Sequence, residues 1–316
     1  MTISVIEPHG FCAGVTAALK KALSLAASRR NDSSTSLYCL HELVHNEIVV
    51  QELKNRGFTF VESLDEVPNG ATVLFSAHGV APQVRETANA RGICVVDATC
   101  PFVERVHKAA REFAAKGHRI VVIGHPGHIE VKGIVGEVED AVVISDVAAA
   151  KKFCEATADT SVSLGVVSQT TMNADEVAEI VAALKTRFKV ETTAEVCNAT
   201  KVRQDAVKAF GGDAVLVLGS ASSSNTARLC ECAPCRAFRA GTMDEVKALD
   251  LSGVTHLGVT SGASTPEEFL KAAIRALSCA TSAPTKGPPR FADASHVDLR
   301  MTRGASRSIS RGSLFG

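Results

Sequence analysis

Short runs of β-type residues alternate with longer helix-type stretches along almost the whole chain, and this alternation limits the fold more than any other feature. Strand, loop and helix in regular succession are the signature of α/β units built on parallel sheets. Runs at 3–6, 37–40, 72–75, 120–123, 142–144, 163–167, 214–218 and 256–259 read as strands. Segments at 15–28, 80–91, 103–116, 174–187, 203–210 and 267–277 read as helices, most with apolar residues recurring at i, i+3 or i+4. The expected class is α/β with mainly parallel sheets, in several similar modules that face one site. A chain of 316 residues can bury a large core without disulfides or structural metals.

The strands tend to end alike, in small polar residues or histidine: Ser76-Ala-His78-Gly79, Gly124-His-Pro-Gly-His128, Ser168-Gln-Thr-Thr171, Ser222-Ser-Ser-Asn225 and Ser261-Gly-Ala-Ser264. In parallel α/β sheets ligands sit beyond the carboxyl ends of strands, where loops and helix N-termini offer free N–H groups. These loops are therefore the expected site.

Composition removes several function classes. The 34 basic and 34 acidic residues cancel, and with one tyrosine and no tryptophan the chain is a poor candidate for nucleic-acid binding. No apolar run approaches the roughly 18 residues that cross a bilayer, so no membrane partner is expected. The start of the chain has no basic leader or long apolar region, so the expected location is cytoplasmic. Ten cysteines in that setting read as thiols available to metals or redox chemistry.

Three of the cysteines, Cys12, Cys100 and Cys197, lie in small-residue turns at expected helix starts, one in each third of the chain. A helix N-terminus favours the thiolate that metals require, although each cysteine taken alone is also explained as a small buried hydrophobe. Among the histidines, His41-Glu-Leu-Val-His45 has the spacing of a zinc-protease HExxH, but it follows a strand directly and lacks a clear helix. His78, His125 and His128 stand beside hydroxyl-rich loops and suit donation to phosphate oxygens. Thr170, Thr171, Ser222, Ser223, Ser224, Asn225 and Ser264 add hydroxyl and amide donors that imply a phosphorylated ligand, with plain helix capping as the competing explanation for any single loop. Glu130 is the natural proton donor among these loops, Glu42 being the other carboxylate there. Neither GxxxxGK[ST] nor GxGxxG occurs.

Taken together, Gly10-Phe-Cys-Ala-Gly-Val15, His41-Glu-Leu-Val-His-Asn46, Phe75-Ser-Ala-His-Gly-Val80, Asp97-Ala-Thr-Cys-Pro101, Gly124-His-Pro-Gly-His-Ile-Glu-Val131, Gln169-Thr-Thr171, Cys197-Asn-Ala-Thr200, Ser223-Ser-Asn225 and Thr260-Ser-Gly-Ala-Ser264 resemble the LytB/IspH family, from about residue 3 to about residue 277. That family comprises the 4-hydroxy-3-methylbut-2-enyl diphosphate reductases of the non-mevalonate isoprenoid pathway. The resemblance implies a trefoil of three α/β modules, expected at 1–101, 102–196 and 197–282, around one 4Fe-4S cluster held by Cys12, Cys100 and Cys197 with one iron open. It also implies a two-electron reductive dehydroxylation that yields isopentenyl and dimethylallyl diphosphate, with electrons from a ferredoxin- or flavodoxin-type donor. By the same resemblance His41, His78, His128, Ser223, Ser224, Asn225 and Ser264 match diphosphate-binding positions, Thr171 lines the pocket, and Glu130 and Thr170 match the proton relay.

The chain departs from the family pattern at His9 and Ala17, where arginine is common, and at Asn198, Val202 and Ser222. These departures motivate an alternative: a divergent, non-catalytic iron–sulfur paralogue or redox sensor. Cys230, Cys232 and Cys235 form a C-x-C-x-x-C run that either binds a second metal or is incidental. From residue 283 to 316 six basic side chains stand against two acidic ones in a Pro-, Gly- and Ser-rich stretch, which reads as a disordered basic tail.

Overall fold

The computed structural model describes residues 1–29, 36–193 and 196–282. The expected basic tail at 283–316 lies outside the described residues. Among those described, β1 (Thr2–Val5) opens the chain, followed by β2 (Leu37–Leu40), β3 (Phe58–Val61), β4 (Thr72–Phe75) and β5 (Cys94–Asp97). Next come β6 (Arg119–Ile123), β7 (Val142–Ile144), β8 (Leu164–Ser168) and β9 (Val190–Thr192), then β10 (Ala214–Leu218), β11 (Arg236–Ala240) and β12 (His256–Ser261).

They form three four-stranded sheets with the orders β3-β2-β4-β5, β7-β6-β8-β9 and β1-β12-β10-β11, and all the pairs are parallel. The expected class of three parallel α/β modules is what the chain builds. One detail differs from the expected first module: β1 does not join the sheet of residues 37–97. Instead Thr2 to Val5 pair in register with His256 to Val259 at the edge of the last sheet. The alternation that marked 3–6 as a strand carries no information about which sheet receives it.

Each sheet buries both faces, as parallel sheets must when crossover helices cover them. In the first, Leu74 packs with Val15, Leu19 and Val49 on one face, while Val73 and Phe75 pack with Ala88 and Ile93 on the other. In the second, Val121 and Ile123 meet Ile180 and Leu184, and Ile120 and Val122 meet Val106, Ala110 and Ile134. The third repeats the pattern, Leu216 and Leu218 against Phe269 and Leu270, Val215 and Val217 against Val207 and Leu229. Successive side chains point to opposite faces, so a continuous apolar run such as Ala214–Leu218 serves two cores at once. Each such fully buried Leu or Val contributes on the order of 1.5–3 kcal/mol. A buried polar contact also ties the helix Pro101–Ala115 to the turn that follows Ile129–Val135: His107 Nδ1 lies 2.7 Å from Glu137 Oε1, and Arg111 Nη1 is 2.7 Å from Glu137 Oε2. No helix among the described residues is long and apolar enough to cross a membrane.

Candidate active site

The strand order makes the site. In each sheet the chain reverses direction of growth between two inner strands, β2/β4, β6/β8 and β10/β12, and such switch points leave a crevice beyond the strand ends. The six loops leaving these ends carry His45, His78, His128, Thr170 with Thr171, Ser223 with Ser224 and Asn225, and Ser264, and all of these line one cavity of about 470 Å³. Cys12, Cys100 and Cys197 line the same cavity.

At the sulfur end, Cys100 caps the helix Pro101–Ala115 and Cys197 caps the helix Asn198–Lys208. The Thr200 amide donates to Cys197 Sγ at 3.4 Å and the Val15 amide donates to Cys12 Sγ at 3.4 Å. Gly14 allows the close approach: a Cβ there would lie 2.5 Å from Cys100 Sγ and 3.8 Å from Cys12 Sγ. Helix N–H groups favour the thiolates as expected, yet the net shifts go the other way. Burial raises the Cys100 thiol above its ordinary value, against lowering by the Phe102 and Val103 amides, and Cys12 and Glu130 raise it further. Burial likewise raises Cys197 against Thr200, and Cys12 and Cys100 add to the rise. Cys100 and Cys197, which resist ionising beside one another, are donors in need of positive charge, which iron supplies. Among the described residues no three His, Cys, Asp or Glu side chains are arranged to grip a single ion. Three cysteine thiols lining one cavity suit the iron–sulfur group that the family resemblance implies.

At the other end, the rings of His45 and His78 are 4.4 Å apart, His45 and His128 5.4 Å, and His78 and His128 5.9 Å. Burial, then the neighbouring histidines, holds His78 well below the ordinary imidazole value. The same causes lower His128 to about 4. His128 Nδ1 accepts from the Glu130 amide at 3.2 Å, so its neutral ring presents Nε2–H elsewhere. His78 and His128 are thereby held neutral near pH 7 until an anion arrives to share their protons.

His41 is placed differently from the expectation. Its Nδ1 lies 2.8 Å from Glu62 Oε2, its backbone sits at φ 59°, and it does not line the cavity. The position expected for His41 is taken by His45, four residues later. The turn at 41–46 is not helical, so the two histidines cannot share a helical face and the HExxH reading fails on conformation. The spacing alone could not tell them apart; the left-handed turn at His41 sends one ring outward.

Glu130 is 2% exposed, and Thr170 holds both its oxygens, the amide donating to Oε1 at 2.6 Å and Oγ1 to Oε2 at 3.1 Å. Burial raises its pKa to about 7, with Thr170 and His45 pulling the other way. The hydroxyl loops are cross-linked by a residue not singled out in the sequence, Gln169. Its Nε2 donates to Thr171 Oγ1 at 2.9 Å and Ser224 Oγ at 3.2 Å, and its Oε1 accepts from the His125 amide at 3.0 Å. Its place next to Thr170 was the available signal. Thr171 Oγ1 donates to Ser224 Oγ at 3.0 Å, and Ser264 Oγ donates to the His45 carbonyl at 3.2 Å. Ser223 caps the helix Ser224–Glu231, and the Asn225 side chain accepts from the Ala263 amide at 2.9 Å while its buried Nδ2 finds no partner. Cys230, Cys232 and Cys235 lie away from this cavity, packed with Val207 and Phe210, with Cys232 Sγ 3.4 Å from Asn173 Nδ2.

The model of the LytB protein family matches residues 3–278. The 4-hydroxy-3-methylbut-2-enyl diphosphate reductase of Dechloromonas aromatica (strain RCB) is 39% identical over 291 residues, covering 90% of this chain and 93% of that one. The enzyme of the same name from Anaplasma marginale (strain St. Maries) is 40% identical over 284 residues, covering 86% and 81%. Among solved structures, the E-1-hydroxy-2-methyl-but-2-enyl-4-diphosphate reductase of Plasmodium falciparum superposes with a TM-score of 0.80 at 31% identity, covering 90% of this chain and 89% of that one. Sequence similarity over nearly all the described residues, joined to a superposable three-sheet fold, makes this chain a member of the LytB family.

Proposed function

We propose that this chain is a 4-hydroxy-3-methylbut-2-enyl diphosphate reductase, carrying one 4Fe-4S cluster on Cys12, Cys100 and Cys197 with one iron open to substrate. The observation that carries the reading is one cavity in which three thiols, a buried carboxyl group and a cluster of three histidines meet. When bound, the cluster supplies electrons and a Lewis-acidic iron for an allylic hydroxyl. The overall change consumes two electrons and two protons, breaks the C–O bond, releases water and leaves isopentenyl or dimethylallyl diphosphate.

The chain's own residues do the rest. His45, His78 and His128 receive the diphosphate, and His78 and His128 become charged donors to it, since an adjacent polyanion reverses the lowering that burial and neighbouring histidines impose. Ser223, Ser224, Asn225 and Ser264 add neutral donors, and the unpartnered Asn225 Nδ2 is satisfied by an anion at that end. Glu130 holds the proton to be delivered: near pH 7 a group of pKa about 7 is available in both forms. Thr170 fixes that carboxyl group through both oxygens, and Thr171 with Gln169 keeps the facing loops in register. Electrons come from a ferredoxin- or flavodoxin-type protein.

The test is anaerobic purification, iron and sulfide quantification, and assay of isopentenyl products from the allylic diphosphate with a chemical reductant. Products establish the reductase. A fully loaded protein that makes none under a competent reductant refutes it in favour of a cluster-binding sensor, the reading that the departures at His9, Ala17 and Asn198 motivate.

A further inference from the structure

Arg203 is 4% exposed, and an arginine so buried ordinarily has a carboxylate beside it. Its hydrogen bonds go instead to neutral carbonyls: Nη1 to Ala199 at 2.8 Å, Nη2 to Gly10 at 2.9 Å and to His9 at 3.5 Å. Its buried Nε has no partner. Among the described residues no carboxylate takes the guanidinium as an ion-pair partner, and Glu7, which also favours its charge, lies 2.9 Å from His9 Nε2. Burial lowers the guanidinium from its ordinary value, and the opposing charges that act on it ahead of Glu7 are Cys12 and Cys197.

The carbonyls it binds are informative. Gly10 lies two residues before Cys12, and Ala199 two residues after Cys197. One side chain thus spans two cysteine-bearing segments that are far apart in sequence. Resting on the cluster-binding role proposed above, we infer that Arg203 is a positioning residue of the sulfur end, clamping the Cys12 loop to the Cys197 helix while its buried positive charge offsets the negative charge of the thiolates and of the cluster they hold. A fixed positive charge in a buried site favours the more negative, reduced state, so Arg203 raises the reduction potential. A clamp of this kind also limits how readily the two sulfurs part, and outer-shell contacts typically govern metal retention by about 10–100-fold.

The experiment compares wild type, Arg203→Lys and Arg203→Gln, each reconstituted anaerobically, by iron and sulfide content, by cluster retention under a chelator, and by midpoint potential from a redox titration followed by electron paramagnetic resonance. We expect Arg203→Gln to lose its cluster to the chelator about 10–100-fold faster and to titrate at a more negative potential. Arg203→Lys keeps the charge and should hold its potential near that of wild type. A potential unchanged in Arg203→Gln overturns the charge role, which a purely structural arginine would not have. If Arg203→Gln holds too little cluster to titrate, the lysine variant decides: iron content restored above the glutamine variant supports the inference, and content equally low overturns it. A wild-type protein that takes up no iron and sulfide overturns the cluster reading and this inference with it, whereas a loaded wild type beside an unmoved Arg203→Gln overturns this inference alone.

Discussion

The two ends of the cavity are built from opposite parts of the same α/β unit. The sulfur end is made at helix starts: Cys100 and Cys197 are caps, and Cys12 immediately precedes the helix Ala13–Arg29. The histidine end is made where strands stop, with His45, His78 and His128 following β2, β4 and β6. Burial acts at both ends, raising the Cys100 and Cys197 thiols and lowering the His78 and His128 imidazoles. The difference lies in what each then lacks. Thiols need a cation before they can ionise together, and imidazoles need an anion before they can protonate together, so one cavity is prepared at its two ends for partners of opposite sign.

The largest test of that contrast is Cys100→Ser, which should reduce iron and sulfide content by more than the roughly 10–100-fold typical of outer-shell changes. A variant that still holds its full cluster after anaerobic reconstitution would remove Cys100 from the sulfur end. Next, Glu130→Gln should leave the cluster's visible absorption intact and lower kcat by about 10²–10⁴-fold, because the carboxyl group sits between the two ends and serves the proton alone. Steady-state turnover equal to wild type would take that role away.

Within the histidine end, His45→Asn and His41→Asn sharpen the comparison. A charge-assisted hydrogen bond of about 1.5–3 kcal/mol corresponds to a loss of roughly 10–150-fold in diphosphate affinity for His45→Asn, while His41→Asn, whose ring faces Glu62, should change affinity little. Calorimetry with pyrophosphate reads both, and the reverse order would return the site to His41. The same titrations, run in buffers of different ionisation heat, should show net proton uptake on binding, because His78 and His128 start below their ordinary value and end charged. For turnover the sign is opposite in origin: Glu130 must carry its proton, so the rate should fall as pH rises through about 7, and a rate that climbs through that range would contradict it. The smallest effect is expected from Cys39→Ser. This thiol is fully buried in the first core, so a hydroxyl there should cost about 1–3 kcal/mol of stability, read as a lowered Tm, with the iron content unchanged.

How much of this was legible from sequence follows the burial of each element. The inner strands were readable: Ala214–Leu218 is an unbroken apolar run and Leu164–Ser168 is apolar through Val167, and both are buried throughout. The strands not anticipated, Phe58–Val61, Cys94–Asp97, Val190–Thr192 and Arg236–Ala240, all lie at sheet edges, and all but Phe58–Val61 mix charged with apolar residues, although the edge strands Thr2–Val5 and Val142–Ile144 were readable. Short helices such as Glu47–Asn55 and Ile129–Val135 offer too few turns for periodicity to show. The cysteines and the hydroxyl loops were visible through their small-residue surroundings. The choice between His41 and His45 was not, since it rests on one left-handed backbone angle, and neither was Gln169, whose role depends on two loops brought together by the fold.

The placement of β1 has a consequence for how the protein is made. Strand β1 finds its neighbour only in β12, and the Gly10 amide meets its acceptor, Ser261 Oγ, 251 residues later. At about 5–20 residues per second that wait lasts on the order of tens of seconds, during which the segment bearing Cys12 has no sheet to anchor it. Two of the three modules can close as they emerge, but the sulfur end stays unfinished until the last one does. For the cluster proposed on Cys12, Cys100 and Cys197, insertion is therefore a late event, and a chain truncated before β12 would leave the first cysteine without the backbone that sets its position.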